Sequence, residues 1–532
     1  MKNFLFKKKI PLMLISSGIL SSIPLVFTSL GFLQWISFIP AAIALTWLVN
    51  DEGVRLRKLY AMGLLFFWSY YIVTFHWFFY MYPLDFAGLN NAASMVVVLV
   101  ACFGLSLLQA LWSGLAFVFI GAVARTSLVK KFNFLQPFVC AAAYVLAEWW
   151  QTKGWWGVPW GRIPLGQIDS PVCVRSASLF GSYFITFIIV AVNFCLAYAI
   201  LFKPFRRAAV SVALGLFCLN LALGTVVTLA YNEDEGREVT VAAAQGNISS
   251  SDKWNYDTFY KTLDTYEKLT EQASADGAEM VVWPETALPY VLLEDDELVQ
   301  YVTTLAVEND ITIVVSSFTR DDETYQLYNS MLEFSPDGSI GERMYSKQRL
   351  VPFGEFVPMR DVVMFLIPPL ADVGMLEEDL LAGDESVVLD TDIGRVGCGV
   401  CFDSIYEGLM LESVRNGAEV IAIATNDSWF SDSAALDMHN GQSRLRAIET
   451  GRYVVRSANT GISSIIDPMG NVIEELGALR SGCVSSEIYL RSSMTLYTLI
   501  GNTFVVLCAV FLVMPICFDV WRKVKRKFLK KY

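Results

Sequence analysis

The chain has 532 residues, of which 54% are hydrophobic and 17% charged, and its 52 acidic and 40 basic side chains give a net charge of −12. That apolar balance excludes a soluble protein of this size. Charge is also unevenly spread: residues 231–496 hold 46 acidic and 17 basic side chains and the remainder only 6 and 23, an acidic block that argues against nucleic acid as a partner.

Eight segments approach the ~20 apolar residues needed to span a bilayer. They lie at roughly 10–29, 31–49, 60–80, 93–123, 134–150, 178–201, 208–230 and 497–520. A signal peptide would explain the basic start of residues 1–30, but the apolar run is long and no small-x-small cleavage site follows. The basic clusters Lys7–Lys9, Arg55 to Lys58, Arg125 to Lys131, Lys203 to Arg207 and Arg522 to Lys531 fall on alternate connections. By the positive-inside rule both termini are cytoplasmic and the acidic block lies outside. Domain boundaries follow: residues 1–230 form a membrane domain with seven transmembrane helices, and 231–496 a catalytic domain on the outer face. Residues 497–532 supply a final transmembrane helix and a basic cytoplasmic tail. Five tryptophans between Glu148 and Trp160 suit a membrane interface or a lipid entry path, with Arg162 and Gln167 as candidates for a headgroup.

Within the acidic block, short β-rich runs alternate with helical stretches. Strands are expected at 239–245, 280–283, 312–318, 328–334, 396–400, 420–425, 453–458 and 463–466, and helices near 255–275, 294–309, 404–416 and 438–452. This is an α/β pattern. Residues 356–382 read as an apolar loop that dips toward lipid, covers the site or simply packs down. Seven of the ten cysteines lie in or beside predicted spans; Cys398, Cys401 and Cys483 lie in the block. Cys398 and Cys401 have redox or zinc-pair spacing, yet three steps along a strand point them to opposite faces, and no second cysteine pair completes a zinc site.

Acyl transfer through an enzyme needs a nucleophile, a proton acceptor and a positive group for the oxyanion. Cys401 follows a strand and precedes a helix, a turn that exposes a nucleophile near helix N-terminal amides. Glu285 follows Val281-Val-Trp-Pro, whose proline ends the strand, and Lys347 opens Lys-Gln-Arg-Leu-Val-Pro-Phe-Gly-Glu355. Of two histidines, His76 lies within a span, and His439 is a second candidate partner for Cys401. A carboxylate can replace imidazole as base, and a nearby ammonium favours the thiolate.

Glu285, Lys347 and Cys401 in this order resemble the triad of the nitrilase (carbon–nitrogen hydrolase) superfamily. The spans, the inserted outer domain and several motifs are similar to the bacterial apolipoprotein N-acyltransferase family. The motifs are Ala244-Gln-Gly-Asn-Ile, Lys253-Trp254, Trp283-Pro-Glu-Thr-Ala, Lys347 through Pro358, Asn426-Asp-Ser-Trp-Phe and Arg456-Ser-Ala-Asn-Thr-Gly-Ile-Ser. The resemblance implies a multi-pass helical membrane domain joined to a nitrilase-like αββα sandwich. It also implies Glu285 as general base, Lys347 as oxyanion stabiliser, Cys401 as nucleophile, Glu355 as a supporting glutamate and Trp254 as an aromatic residue at the lipid entrance. Where the family commonly has Cys-Tyr-Glu, this chain has Cys401-Phe402-Asp403, which leaves open the roles of Phe402 and Asp403. The implied reaction moves a fatty acyl chain from a phospholipid, through a cysteine thioester, to the N-terminal amine of a diacylglyceryl-cysteine apolipoprotein. It needs no metal or organic cofactor and takes place in a monomer of the bacterial inner membrane, on the periplasmic side. A membrane-tethered amidase or nitrilase with water as acceptor is the alternative. A transporter with an accessory domain fits the span count, but the spans carry few charged residues.

Overall fold

Hydrocarbon offers the backbone no hydrogen-bond partners, so apolar runs of this length form helices. The computed structural model describes the chain except residues 1, 85–89, 234, 250–252, 254–257, 367–377 and 530–532. It divides into two units: Met1–Phe79, Val97–Ala230 and Ile500–Tyr532 form one, and Tyr80–Val96 with Tyr231–Leu499 the other.

In the first unit and the helix that enters it, six helices among the described residues are long and apolar enough to cross a membrane. They are Lys9–Val26, Thr28–Asn50, Asn91–Ala124, Ser182–Leu201, Lys203–Ala230 and Thr503–Leu529. The two remaining expected spans form the helices Leu56–Thr74 and Gln136–Trp150, of 19 and 15 residues. At ~1.5 Å per residue the latter is ~22 Å long, shorter than the ~30 Å hydrocarbon core. Ser182–Leu201 is buried along most of its length. Arg206–Ala230 and Thr503–Leu529 instead expose Leu214, Val226, Leu229, Val506 and Val510, as lipid-facing helices would.

Three buried polar side chains in this unit have partners on neighbouring elements. Glu148 accepts from the Ile163 amide at 2.8 Å and the Thr186 hydroxyl at 2.6 Å. Arg162 is fully buried, donates to the Ser182 hydroxyl and lies 4.1 Å over the Tyr183 ring. Gln167 donates to the Gly31 carbonyl and the Gln34 side chain, each at 2.7 Å. Neither residue is presented to a headgroup. Both tie the segment after Trp150 into the bundle, because an unpaired polar group there would cost several kcal/mol.

The second unit contains two sheets. The first has strands β1 (Arg237–Gln245), β2 (Met280–Val282), β3 (Leu288–Val291), β4 (Thr312–Arg320), β5 (Leu327–Phe334), β6 (Tyr345–Ser346) and β13 (Gly482–Leu490), in the order β13-β1-β2-β4-β5-β6 with β3 beside β4. The second runs β12 (Val472–Leu476), β11 (Ser463–Ile466), β10 (Val454–Ala458), β9 (Val420–Thr425), β8 (Gly394–Val400) and β7 (Val388–Thr391). Strand side chains alternate between faces. Val239, Val241 and Ala243 of β1 meet Val396, Cys398, Val400, Val420 and Ala422 between the sheets. Ala242, Ala244 and Val281 face the helices Phe259–Ala275 and Asp296–Asn309. The helices Glu407–Arg415 and Ala434–Thr450 cover the second sheet, completing the helix–sheet–sheet–helix layering. Cys398 lies in the inter-sheet core, and both it and Cys401 are free thiols.

The eight expected strands are present. Sequence reading missed β3, β6, β7, β12 and β13, which are short or carry polar residues on one face. The apolar loop at 356–382 contains the helix Arg360–Leu366, with Phe365 strongly exposed, and its residues 367–377 lie outside the described residues.

Candidate active site

β2 runs parallel to β1 and β4, and β9 runs parallel to β8 and β10. Glu285 follows the carboxyl end of β2, Cys401 that of β8, and Asn426 and Asp427 that of β9. These are the strand ends where α/β sheets present their chemistry.

Two glycines let β8 lie close under its helix. A Cβ on Gly397 would come 2.2 Å from Ser413 Oγ, and one on Gly399 2.8 Å from Met410 Cε. The chain then turns sharply at Cys401, whose φ of +49° is unusual for a residue with a side chain. Asp403 closes the turn: it is fully buried and accepts from the amides of Val400 at 3.1 Å and Arg349 at 2.8 Å, and from the Tyr345 hydroxyl at 2.8 Å. Burial pushes its carboxyl up to about 6, against the pull of Lys347 and these three donors. Phe402 packs edge-on against Tyr406, ring centroids 5.4 Å apart.

Lys347, 1% exposed, bridges two carboxylates, with Nζ 2.9 Å from Glu285 Oε1 and 2.7 Å from Glu355 Oε1. Burial opposes its charge, but Glu285 and Glu355 outweigh burial and raise its pKa. Glu285 also accepts from Asn329 Nδ2 and the Asn426 amide, both at 2.9 Å. Glu355 takes the Val351 amide at 2.8 Å. Burial, reinforced by Glu285, raises the Glu355 pKa while Lys347 opposes it. Burial and the Glu285 charge push the Cys401 thiol up, and Lys347 pulls the other way. A thiol held protonated in this way needs a base at hand.

His439 lies on the far side of the same turn. Its Nε2 is 3.0 Å from Ser404 Oγ and 3.2 Å from the Cys401 carbonyl oxygen, and its Nδ1 is 2.8 Å from Asp427. Arg456 holds the second Asp427 oxygen at 2.7 Å. The donor atoms of Cys401, Asp427 and His439 lie within 4.8 Å of one another, a mixed sulfur, oxygen and nitrogen set of the kind zinc accepts. Asp427 is engaged by His439, Arg456 and Thr425.

The structure therefore joins Lys347 directly to Glu285 and Glu355, and Glu285 and Lys347 act electrostatically on Cys401. Trp254 lies outside the described residues. Asn329, buried on β5, was the missed partner of Glu285, and the sequence does not set it apart from the buried Ser330 and Glu333 of the same strand.

A carbon–nitrogen hydrolase profile matches residues 240–493, and a profile of the apolipoprotein N-acyltransferase N-terminal domain matches 17–195. The apolipoprotein N-acyltransferase of Geobacter metallireducens is 32% identical over 361 residues, 66% of this chain and 68% of that protein. The chain belongs to the apolipoprotein N-acyltransferase family. Its relative of the same name in Gloeobacter violaceus is 28% identical over 91% of this chain and 88% of that protein. Among solved structures, the Caenorhabditis elegans NitFhit protein is similar at 23% identity and a TM-score of 0.39, covering 48% of this chain and 62% of that one. The buried Asp403 uses both carboxylate oxygens in holding the Cys401 turn.

Proposed function

We propose that the chain transfers a fatty acyl group from a phospholipid to the α-amine of a diacylglyceryl-cysteine apolipoprotein, through a thioester on Cys401. One observation carries the assignment of residues: the buried Lys347 ammonium bridging Glu285 and Glu355 beside a thiol on a strained turn.

In the first half-reaction Cys401 Sγ attacks the acyl ester carbon as its proton passes to Glu285. Lys347 faces the oxyanion. The C–O bond breaks, and the Glu285 proton goes to the leaving glycerol oxygen to give a lysophospholipid. In the second, the acceptor nitrogen attacks the thioester carbon and passes its proton to Glu285. The C–S bond breaks and the thiol is restored. Glu355 keeps Lys347 in place, and Asn329 and the Asn426 amide orient Glu285. No step calls for a metal.

The basic clusters on alternate connections support an inner-membrane orientation with both termini in the cytoplasm and residues 231–496 in the periplasm. Tethering the site beside its lipid donor raises the effective donor concentration. Mass analysis of the purified protein given phospholipid alone tests the scheme. An acyl adduct on Cys401 accumulates, is absent in Cys401→Ser, and disappears when the amine acceptor is added. Release of free fatty acid without an acceptor would favour the amidase-like alternative, and an adduct elsewhere would overturn the assignment.

A further inference from the structure

The two half-reactions make no use of Lys253. Its side chain is buried, its Nζ donates to the Glu285 carbonyl oxygen at 2.8 Å, and its amide donates to the Ser249 carbonyl at 2.9 Å. Glu285, Cys401 and Lys347 all act on its charge. Burial draws the amine down to about 8 with help from Lys347, while Glu285 and Cys401 resist, so it is mostly charged at neutral pH. Without Lys253, the carboxylates Glu285 and Glu355 face Lys347 alone and the pocket is net negative. Lys253 offsets one unit of that excess. Asp427 is matched by Arg456, whereas Asp403 takes three neutral donors and keeps its own charge, which Lys347 also feels, so the pocket depends all the more on Lys253.

This balance matters to an acceptor amine. An α-amine has a pKa of about 7.7–8.0, so much of it arrives as a non-nucleophilic ammonium. A net negative pocket would hold that ammonium against Glu285, the group that must accept its proton. We propose that Lys253 is a positioning residue for the second half-reaction: fixed on the Glu285 carbonyl beside Lys347, it keeps Glu285 from pairing with a protonated acceptor, so the thioester meets the free amine. The nitrogen then forms the C–N bond, the C–S bond breaks, and the proton reaches the thiolate through Glu285. This rests on the amine-acceptor reading above.

The test uses full-length acyl-enzyme formed with phospholipid and freed of excess donor. Discharge is timed against a diacylglyceryl-cysteine peptide and against hydroxylamine, which is already neutral at pH 7. In Lys253→Met, peptide discharge at pH 7 falls about tenfold and its pH midpoint rises by about one unit, as expected for removing one charge at close range. Hydroxylamine discharge and adduct formation fall far less than peptide discharge, and Lys253→Arg keeps the wild-type pH midpoint. Equal losses with both nucleophiles, no loss with the peptide, a lost adduct in folded Lys253→Met, or a raised midpoint in Lys253→Arg each overturn the proposal. If Lys253→Met does not fold, the Arg midpoint decides. Absence of an adduct in the wild-type protein would count against the acyl-transfer reading instead.

Discussion

The Tyr345 hydroxyl donates to Asp403 Oδ2 at 2.8 Å and joins the strand before Lys347 to the turn that carries Cys401. The second Asp403 oxygen takes the Arg349 amide, two residues beyond Lys347. One carboxylate thus sets the distance between the ammonium and the thiol.

Replacing that carboxylate should separate geometry from charge. Asp403→Asn turns an acceptor into a donor facing occupied N–H and O–H groups, at a cost of ~1–3 kcal/mol. Adduct formation on Cys401 should fall ~100-fold with a lower melting temperature, whereas Asp403→Glu, which keeps every acceptor, should lose less. Equal losses, timed by mass spectrometry, would remove the clamp.

Glu285 and His439 make opposite predictions. His439 touches the backbone carbonyl of Cys401, so His439→Gln should slow adduct formation about tenfold without abolishing it. Glu285→Gln removes the proton acceptor and should cost ~10²–10⁴ in both half-reactions. Single-turnover rates that reversed this order would make His439 the base.

Glu355 should act through Lys347. In Glu355→Gln the ammonium keeps Glu285 as its one ionic partner, and adduct formation should fall ~10–100-fold, less than in Lys347→Met. A larger loss from Glu355→Gln, measured on the same adduct, would give the glutamate a direct chemical role.

Away from the site, Glu333 gives a pH signature. Burial, helped by Asp392 and Asp337, pushes its carboxyl up to about 7. Between its ordinary value and 7 the folded chain holds a proton that the unfolded chain has released. Stability therefore falls as pH rises through that window. Glu333→Gln should raise the melting temperature at pH 8, by an amount equivalent to ~1–3 kcal/mol, and change it little at pH 4.5. A gain of equal size at both pH values would dismiss the titration.

Much of the fold was legible because its signals are local. A run of ~20 apolar residues must be helical in lipid, and alternating apolar residues with a proline at Pro284 mark a strand and its end. β13 escaped because its nine residues include two serines and a glutamate, and its order comes from antiparallel pairing with β1 along its whole length. Arg162 was misjudged for a related reason: its burial depends on Ser182 and Tyr183, a span away.

By itself the sequence determined the long apolar helices, the alternation of basic clusters, and the residue types of a candidate Glu–Lys–Cys set, since hydrophobicity, charge and strand endings act over a few residues. Only the tertiary structure decided that Asp403 clamps the Cys401 turn, that Asn329 steadies Glu285, and that Lys253 reaches the Glu285 carbonyl. Those contacts join residues 32 to 58 positions apart, and hydrogen bonds that direct a buried charge exist only once separate strands have brought their ends together.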